Sequence, residues 1–342
     1  MKISKKLFLK NKELKRLISD EEACLIYELK DYPVLITNYF SSLIKWKDIS
    51  DPLRRQIIPF SEERQLKGID DFCEERNFQK MRYMIHKYPD RVVIYATNRC
   101  FGHCRFCFRK WLWKERKFNM DENAIKRAGD YLNKHKDVRE VILSGGDPLT
   151  LSNSQLKRLL TEFSGISNLV AIRIASRALT FYPARIDPGL IKILRLCNKQ
   201  VWFISHFNHP LEISNDTMFA IKRLVRGGIP VLNQTVLLKG INDRVEVLVE
   251  LFNKLCSLGV KPYYLFQCDP APGAVHFSTE LENSFRIMEK LAGHSGLITP
   301  RFALEIRGYG KISPGPGWCF RRESDGYEVE SPSGGRYYYP GV

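Results

Sequence analysis

The chain has 342 residues and a formal net charge of +16, with 44% apolar and 27% charged residues. This composition is typical of a soluble globular protein with room for one barrel-sized domain and additions. No segment approaches the run of about 18 apolar residues that a membrane span needs, and no apolar segment follows the basic N-terminus as in a secretory signal. The nine cysteines form no paired framework, so we expect a cytoplasmic protein without structural disulfides.

The basic excess has two interpretations. A basic patch attracts nucleic acid, but the same charge is also typical of a lysine-rich surface in contact with solvent. Basic residues crowd the first 17 positions, and no aromatic residues are interleaved with them as a nucleic-acid surface would have. We therefore favour the solvated surface and expect neither a nucleic-acid nor a membrane partner.

Residues 1–85 predict a helical and irregular layer. Segments 14–18 and 21–26 have helix-like spacing, and Pro33, Pro52 and Pro59 break the segment into short pieces. We expect this layer to pack on the main domain without carrying chemistry of its own.

Three cysteines follow the first strong strand signal. The apolar run Val92–Ala96 predicts a buried strand, and Cys100, Cys104 and Cys107 come directly after it at C-x3-C-x2-C spacing. Three thiolates in one loop can hold three irons of a cubane cluster and leave the fourth iron open to a small molecule. Zinc remains an alternative, with His103 as a fourth ligand.

A regular alternation of strands and helices begins at the same run. The predicted strands are 92–96, 140–143, 170–175, 201–205, 231–238 and 261–266. The predicted helices are 122–136, 154–163, 188–196, 215–226, 245–258 and 280–291. This alternation predicts a parallel sheet, and six units suit a partial (β/α)6 barrel over residues 86–296.

Polar residues recur where each predicted strand ends. Because sites on such folds gather at the C-terminal ends of the strands, we expect these side chains to meet in one place. They include the cysteine loop and, after the later strands, Ser144, Asp147, Ser176, Arg177, His206, Asn208, His209, Gln234, Gln267 and Asp269. Residues 297–342 predict a tail, in which glycines and prolines over 307–317 exclude a long helix and predict a loop.

The motifs together resemble the radical S-adenosylmethionine (SAM) superfamily and, within it, the lysine 2,3-aminomutase family. The similarity extends over about residues 50–312. It rests on segments 51–56, 88–92, 98–109, 143–147, 174–177, 206–210, 233–238 and 262–269. In length the chain is similar to the short members that make β-lysine for elongation factor P. The resemblance implies an isomerase that moves the α-amino group of an L-amino acid, with L-lysine expected, to the β-carbon.

Site residues follow from the resemblance, position by position. Cys100, Cys104 and Cys107 match the ligands of a [4Fe-4S] cluster. Matches to the SAM site are Ser144, Gly145, Gly146, Asp147, His206 and Gln234. Matches near the phosphate of pyridoxal phosphate (PLP) are Lys87, where the family often has arginine, Tyr88 and Arg91.

Three further matches concern PLP and the substrate. Lys311 matches the lysine that carries PLP, although the interval from Glu305 to Lys311 is one residue shorter than the family pattern. Arg109 matches the residue that binds the substrate carboxylate. Asp269 and Glu305 match the acidic positions that bind the lysine ammonium.

The expected partners are an amino acid substrate and an electron donor such as flavodoxin or ferredoxin, and a homo-oligomer is left open. Two other functions also stay open. One is a radical SAM reaction of the same fold on another amino acid, or on RNA or protein without PLP. The other is a non-catalytic iron–sulfur or zinc protein.

Overall fold

The fold is built around a ten-stranded sheet whose strands lie side by side in chain order. The computed structural model describes residues 7–341, so the basic residues Lys2, Lys5 and Lys6 fall outside it. The strands are β1 (Gln79–Met81), β2 (Met84–Tyr88), β3 (Arg91–Thr97), β4 (Glu140–Gly145), β5 (Ala171–Ala175), β6 (Gln200–Ser205), β7 (Val231–Leu237), β8 (Val260–Gln267), β9 (Arg301–Ile306) and β10 (Gly310–Ile312).

Strands β3 to β9 are parallel, and β1, β2 and β10 extend the two edges in antiparallel pairs. All six strands predicted from the apolar runs are present, so the prediction of a parallel, barrel-type α/β sheet is confirmed. The antiparallel strands β1 and β2 were not predicted, because their sequence is polar and only partly buried.

The helices of the repeating units also confirm the sequence prediction. They are α4 (Glu122–Lys134), α5 (Asn153–Ser164), α7 (Pro188–Arg195), α8 (Asn215–Arg226), α9 (Val245–Ser257) and α10 (Leu281–Ala292), and a short α6 (Ala178–Phe181) follows β5. Helix α8 shows why they form: Ser214 caps its first turn, and Thr217, Ala220, Ile221 and Leu224 bury one face at helical spacing.

The N-terminal layer contains α1 (Asn11–Leu14), α2 (Asp20–Glu28) and α3 (Asn38–Leu43). It is anchored to the barrel by polar contacts between buried groups. The Gln56 amide donates to Glu212 Oε1 at 2.8 Å, and the backbone N–H of Arg105 donates to the Gln56 carbonyl at 2.9 Å. The layer therefore helps to fix the loops at the C-terminal ends of the strands.

The tail differs from its prediction. Strand β9 lies beside β8 in the main sheet, and β10 turns back on it, so the prediction of a loop throughout 307–317 is wrong at Gly310–Ile312. Gly308 and Gly310 have φ of +78° and +113°, a backbone conformation that lets this short hairpin form. A separate sheet of β11 (Cys319–Arg322), β12 (Gly326–Glu330) and β13 (Arg336–Pro340) follows. Within residues 7–341, no helix has the length and apolar character needed to cross a bilayer.

Candidate active site

One cavity of about 380 Å³ lies at the C-terminal ends of the parallel strands. Every residue that the family resemblance assigned to the cluster, SAM, PLP or the substrate lines it, whereas the strand-end residues Asn208 and His209 do not. The residues come from the cysteine loop, from the loops after β4 to β8, and from the β2 and β9–β10 segments, so the fold brings together positions more than 200 residues apart in sequence.

The cysteine loop is held from behind by the N-terminal layer. The backbone N–H of His103 donates to the Leu35 carbonyl, and the Arg105 guanidinium binds Glu63 in a fully buried ion pair of 2.6 Å. The His103 ring stacks on Trp113 and contacts the Pro33 carbonyl through Nδ1 at 2.7 Å. The ring packs behind the loop and does not line the cavity, and within the described residues it joins no cluster of three metal-ligating side chains.

The three thiols fit a cubane cluster better than a single ion. Burial raises the pKa of Cys100, Cys104 and Cys107, to about 11 for Cys107, so a metal must displace their protons. Among the described residues, no three His, Cys, Asp or Glu side chains converge as ligands of one metal ion. A cubane needs no such convergence, since each thiolate binds a different iron.

The loop after β4 lies against the strand that leads into the cysteines. Gly146 N–H donates to the Thr97 carbonyl and Asp147 N–H to the Arg99 carbonyl, both at 2.7 Å. A Cβ at Gly145 or Gly146 would lie 2.3 Å from one of these carbonyl oxygens. The glycines are therefore required by the close approach of two backbone segments of the protein itself.

The carboxylate of Asp147 joins the loops after β4 and β5. It accepts hydrogen bonds from the Ser176 hydroxyl at 2.8 Å and from the N–H groups of Leu149 and Arg177 at 2.9 Å. Burial raises its pKa to about 6. Asp147 thus has partners within the protein and orients the cavity wall.

His206 and Gln234 line the same part of the cavity, after β6 and within β7. The His206 ring contacts the Asn208 amide oxygen at 3.1 Å, and burial holds its pKa well below the usual range. Its ring is therefore neutral near pH 7.

Arg109 is paired with an acid that the sequence analysis missed. Its Nε donates to Glu75 Oε2 at 2.7 Å, its Nη2 donates to Glu75 Oε1, and its Nη1 donates to the Ser144 hydroxyl at 3.1 Å. The Tyr95 hydroxyl also donates to Glu75, at 2.7 Å. Glu75 occupies the Nε side of the guanidinium, so Nη1 and Nη2 still have hydrogens for a ligand carboxylate. No sequence pattern marks Glu75, which begins a one-turn 3-10 helix, Glu75–Phe78, before β1.

The β9–β10 hairpin places Glu305 and Lys311 directly opposite each other across two strands. The Lys87 ammonium binds Glu305 at 2.5 Å and the Cys73 carbonyl at 2.8 Å, so Lys87 is engaged by the protein itself. The Tyr88 hydroxyl accepts from the Lys311 backbone N–H at 2.8 Å. The structure thus brings all four cavity residues together around the hairpin.

Lys311 has an unusual environment for a lysine. Its ammonium lies 4.3 Å from the centre of the Tyr264 ring, and no carboxylate in the described chain forms an ion pair with it. Burial, followed by the charges of Arg91 and Arg173, lowers its pKa to about 8. The basic Arg173 was not predicted, although an arginine in the middle of the apolar strand β5 is a signal of an inward-facing functional group.

Asp147 and Asp269 are the two acids of the cavity that have no ion-pair partner in the part of the chain that the structure describes, and of these only Asp147 is satisfied by hydrogen bonds from the Ser176 hydroxyl and two backbone N–H groups. The carboxylate of Asp269 lies near the Cys73 thiol, with 3.8 Å between Sγ and Oδ2. Burial, assisted by the charge of Glu305, raises its pKa to about 7. Glu75 and Glu305 are each bound to a cation, so Asp269 is the carboxylate best able to accept an ammonium from a ligand.

Comparison with known proteins agrees with this geometry. The radical SAM superfamily profile matches residues 94–252. The chain is 38% identical to a putative L-lysine 2,3-aminomutase of Aquifex aeolicus, over 94% of this chain and 89% of that protein. It is 38% identical to the L-lysine 2,3-aminomutase of Methanococcus maripaludis, over 86% and 69% of the two chains, and 37% identical to that of Clostridium subterminale, over 88% and 74%.

A radical SAM protein binds a [4Fe-4S] cluster and SAM, and the lysine 2,3-aminomutases are isomerases, so this chain is an isomerase with these two cofactors and the cavity is its candidate active site. On these similarities, which extend over most of its length, the chain belongs to the lysine 2,3-aminomutase family of radical SAM enzymes.

Proposed function

We propose that this protein moves the α-amino group of L-lysine to the β-carbon to give β-lysine, with PLP bound at Lys311. The observation that carries the proposal is the unpaired carboxylate of Asp269 in the same cavity as Arg109, Lys311 and the three cysteines. A ligand with an ammonium at one end would supply the missing partner of Asp269, and a carboxylate at its other end would accept from the N–H groups that Arg109 does not donate to Glu75 or Ser144. A buried carboxylate is otherwise costly without a partner.

The cofactors would be held by different walls of the cavity. Cys100, Cys104 and Cys107 would ligate the cluster, and the cavity wall around Ser144, Gly145, Gly146, Asp147, His206 and Gln234 would hold SAM. When bound, the cluster and SAM supply a group that abstracts hydrogen, and PLP supplies a carbonyl that can carry the migrating nitrogen.

The basic residues around Lys311 support a phosphate site. Arg91 and Arg173 line the cavity with Lys311, and guanidinium groups suit a phosphate dianion. Each is paired with an acid of the protein, Arg91 with Asp90 and Arg173 with Glu140, so a phosphate would share the remaining N–H groups. Tyr88 fixes the backbone of Lys311. Lys87 is bound to Glu305, so it would attract the phosphate through its positive charge rather than by direct hydrogen bonds.

Lys311 itself is suited to bond with a carbonyl compound. A pKa of about 8 leaves part of its amine neutral near pH 7, and the neutral amine is the nucleophile. Burial among aromatic rings keeps water from the amine and holds it in one place.

The substrate would be fixed at both ends. The free N–H groups of Arg109 bind its carboxylate, while Asp269, with Glu305 farther along the wall, binds its ammonium. Fixing both ends holds the β-carbon in one position, and such positioning supplies roughly 7–11 kcal/mol of a barrier. The reaction also requires a one-electron donor such as flavodoxin or ferredoxin, which fits a cytoplasmic enzyme.

The proposal is tested by anaerobic incubation of the cluster-reconstituted protein with SAM, PLP, dithionite and a panel of L-amino acids. Products are separated by chromatography and identified by mass spectrometry. We expect β-lysine from lysine, and far less product from norleucine, which has the same length without the ammonium. Preference for norleucine, alanine or glutamate would refute the lysine assignment, and turnover of none of them would refute the aminomutase function.

A further inference from the structure

A buried arginine contacts one of the cluster cysteines. Arg177 follows β5, and its Nη1 donates to Cys104 Sγ at 2.8 Å. Its other nitrogens are also engaged: Nε donates to the His206 carbonyl at 3.2 Å, and Nη2 donates to Glu212 at 2.9 Å and to Gln56 at 3.1 Å. The guanidinium is thus fixed on every side, and one side is directed at sulfur.

The partners of Arg177 are themselves fixed. Glu212 is fully buried and also accepts from the Asn208 N–H at 2.7 Å and from the Gln56 amide at 2.8 Å. The network joins the N-terminal layer to the loops after β5 and β6. Because this hydrogen-bond network holds the planar guanidinium in one orientation, the fold itself maintains the contact between Arg177 and Cys104.

The charge that matters most at the cysteine loop is the one in direct contact with a thiol. Arg105 and Lys110 share one acid, Glu63, and Arg177 pairs with Glu212. The buried Asp147 adds a negative charge near Cys100 and Cys104, so Arg177 is the cation that offsets it at the sulfur. A cubane held by three thiolates is an anion, and one-electron reduction makes it more negative. A guanidinium bonded to one of these sulfurs therefore stabilises the bound cluster, and stabilises its reduced form most.

We propose that Arg177 is a positioning and tuning residue that raises the reduction potential of the cluster through its hydrogen bond and charge at Cys104. Hydrogen bonds to cluster sulfurs and local net charge are the protein's means of setting such potentials. By raising this reduction potential, the hydrogen bond makes it easier for the cell's electron donors to reduce the cluster. This role is independent of the amino acid substrate and of PLP.

The test compares three variants of the anaerobically reconstituted holoprotein. Arg177→Gln removes the contact but leaves Glu212 buried without its cation, which can prevent folding. The double variant Arg177→Gln/Glu212→Gln removes both charges and avoids that cost. Arg185→Gln is the matched control, because Arg185 is equally buried but donates to the carbonyls of Leu149 and Leu151.

Iron and sulfide content are measured first, and the midpoint potential is then measured by EPR-monitored redox titration without SAM. We expect wild-type cluster content in the double variant, with a reduced-to-oxidised ratio at least tenfold lower at the same potential, a shift of about 59 mV for one electron. The control should keep the wild-type potential.

An unchanged potential in a double variant with a full cluster would overturn the proposal. So would loss of the cluster in both Arg177 variants, because Arg177 would then determine the structure of the loop rather than its potential. Neither result depends on which amino acid the enzyme isomerises.

Discussion

The cavity has two sides that differ in whether their buried charged groups are paired within the protein. On the cysteine side, formed by the three cysteines with Arg177 and the Arg105–Glu63 pair, buried polar groups are bound to one another. On the amino-acid side, formed by Glu75, Arg109, Asp269, Glu305 and Lys311, Asp269 and Lys311 have no ion-pair partner in the described chain and have displaced pKa values. The difference is what our proposal predicts for a side that holds a fixed cofactor and a side that receives charged ligands.

The largest expected effect comes from removing a cysteine of the cysteine side. Alanine at Cys100, Cys104 or Cys107 should abolish the cluster and all activity, since each thiolate binds one iron. Iron content and the reduced-state EPR signal measure this. Cys197→Ala and Cys256→Ala serve as controls that should keep full iron content. A variant of the three that keeps a normal cluster and activity would remove that cysteine from the ligand set.

Lys311→Ala should abolish activity while leaving the cysteine side intact. Borohydride treatment of the PLP-loaded wild type should fix a pyridoxyl label on Lys311, found by peptide mapping, and the variant should carry none. Iron content and SAM binding should stay unchanged. Lys290→Ala, at an exposed position of α10, is the control. A label on another lysine would show that Lys311 is not the residue that binds PLP.

Asp269→Asn should lower kcat/KM for lysine by a few hundredfold or more, because removing one partner of a buried charge pair costs roughly 3–5 kcal/mol. Activity on norleucine should not fall with it, so the ratio of the two substrates is the decisive measurement. Wild-type turnover of lysine by this variant would exclude Asp269 as the ammonium site.

Glu75→Gln should lower kcat/KM by about ten- to a hundredfold, since hydrogen bonds to charged groups contribute about 1.5–3 kcal/mol each. Arg109 would lose the ion pair that orients it toward the substrate carboxylate. Tyr95→Phe, which removes one hydrogen bond from Glu75, should have a smaller effect in the same direction. If kcat/KM of Glu75→Gln equals that of the wild type, Glu75 does not position Arg109.

The smallest effect is a dependence on pH. The pKa of Asp269 is raised to about 7, so its carboxyl group is neutral below that pH and cannot pair with an ammonium. We expect kcat/KM for lysine to fall about tenfold per pH unit below pH 7 in the wild type. The same decrease with norleucine as substrate would assign it to another group.

The sequence alone determined the repeating units and the cysteine loop. Apolar runs with helical or alternating spacing are local signals. Helix α8 has the predicted bounds because both its N-terminal cap and its buried face are formed by residues close together in sequence. The residues at the strand ends could also be placed together, since parallel strands carry their C-terminal ends to one edge.

The tertiary structure decided which of these residues are free. Glu75 escaped prediction because its short 3-10 helix has no spacing pattern that marks a functional residue. The arginine within apolar β5 is a local signal, but only the structure shows that Arg173 lines the cavity with Lys311. The placement of Lys311 opposite Glu305 depends on the register of β9 and β10, and the two positive-φ glycines that permit this hairpin do not predict its register. Ion pairs between residues 34 or 218 positions apart depend on distances in space, and no local pattern encodes such distances.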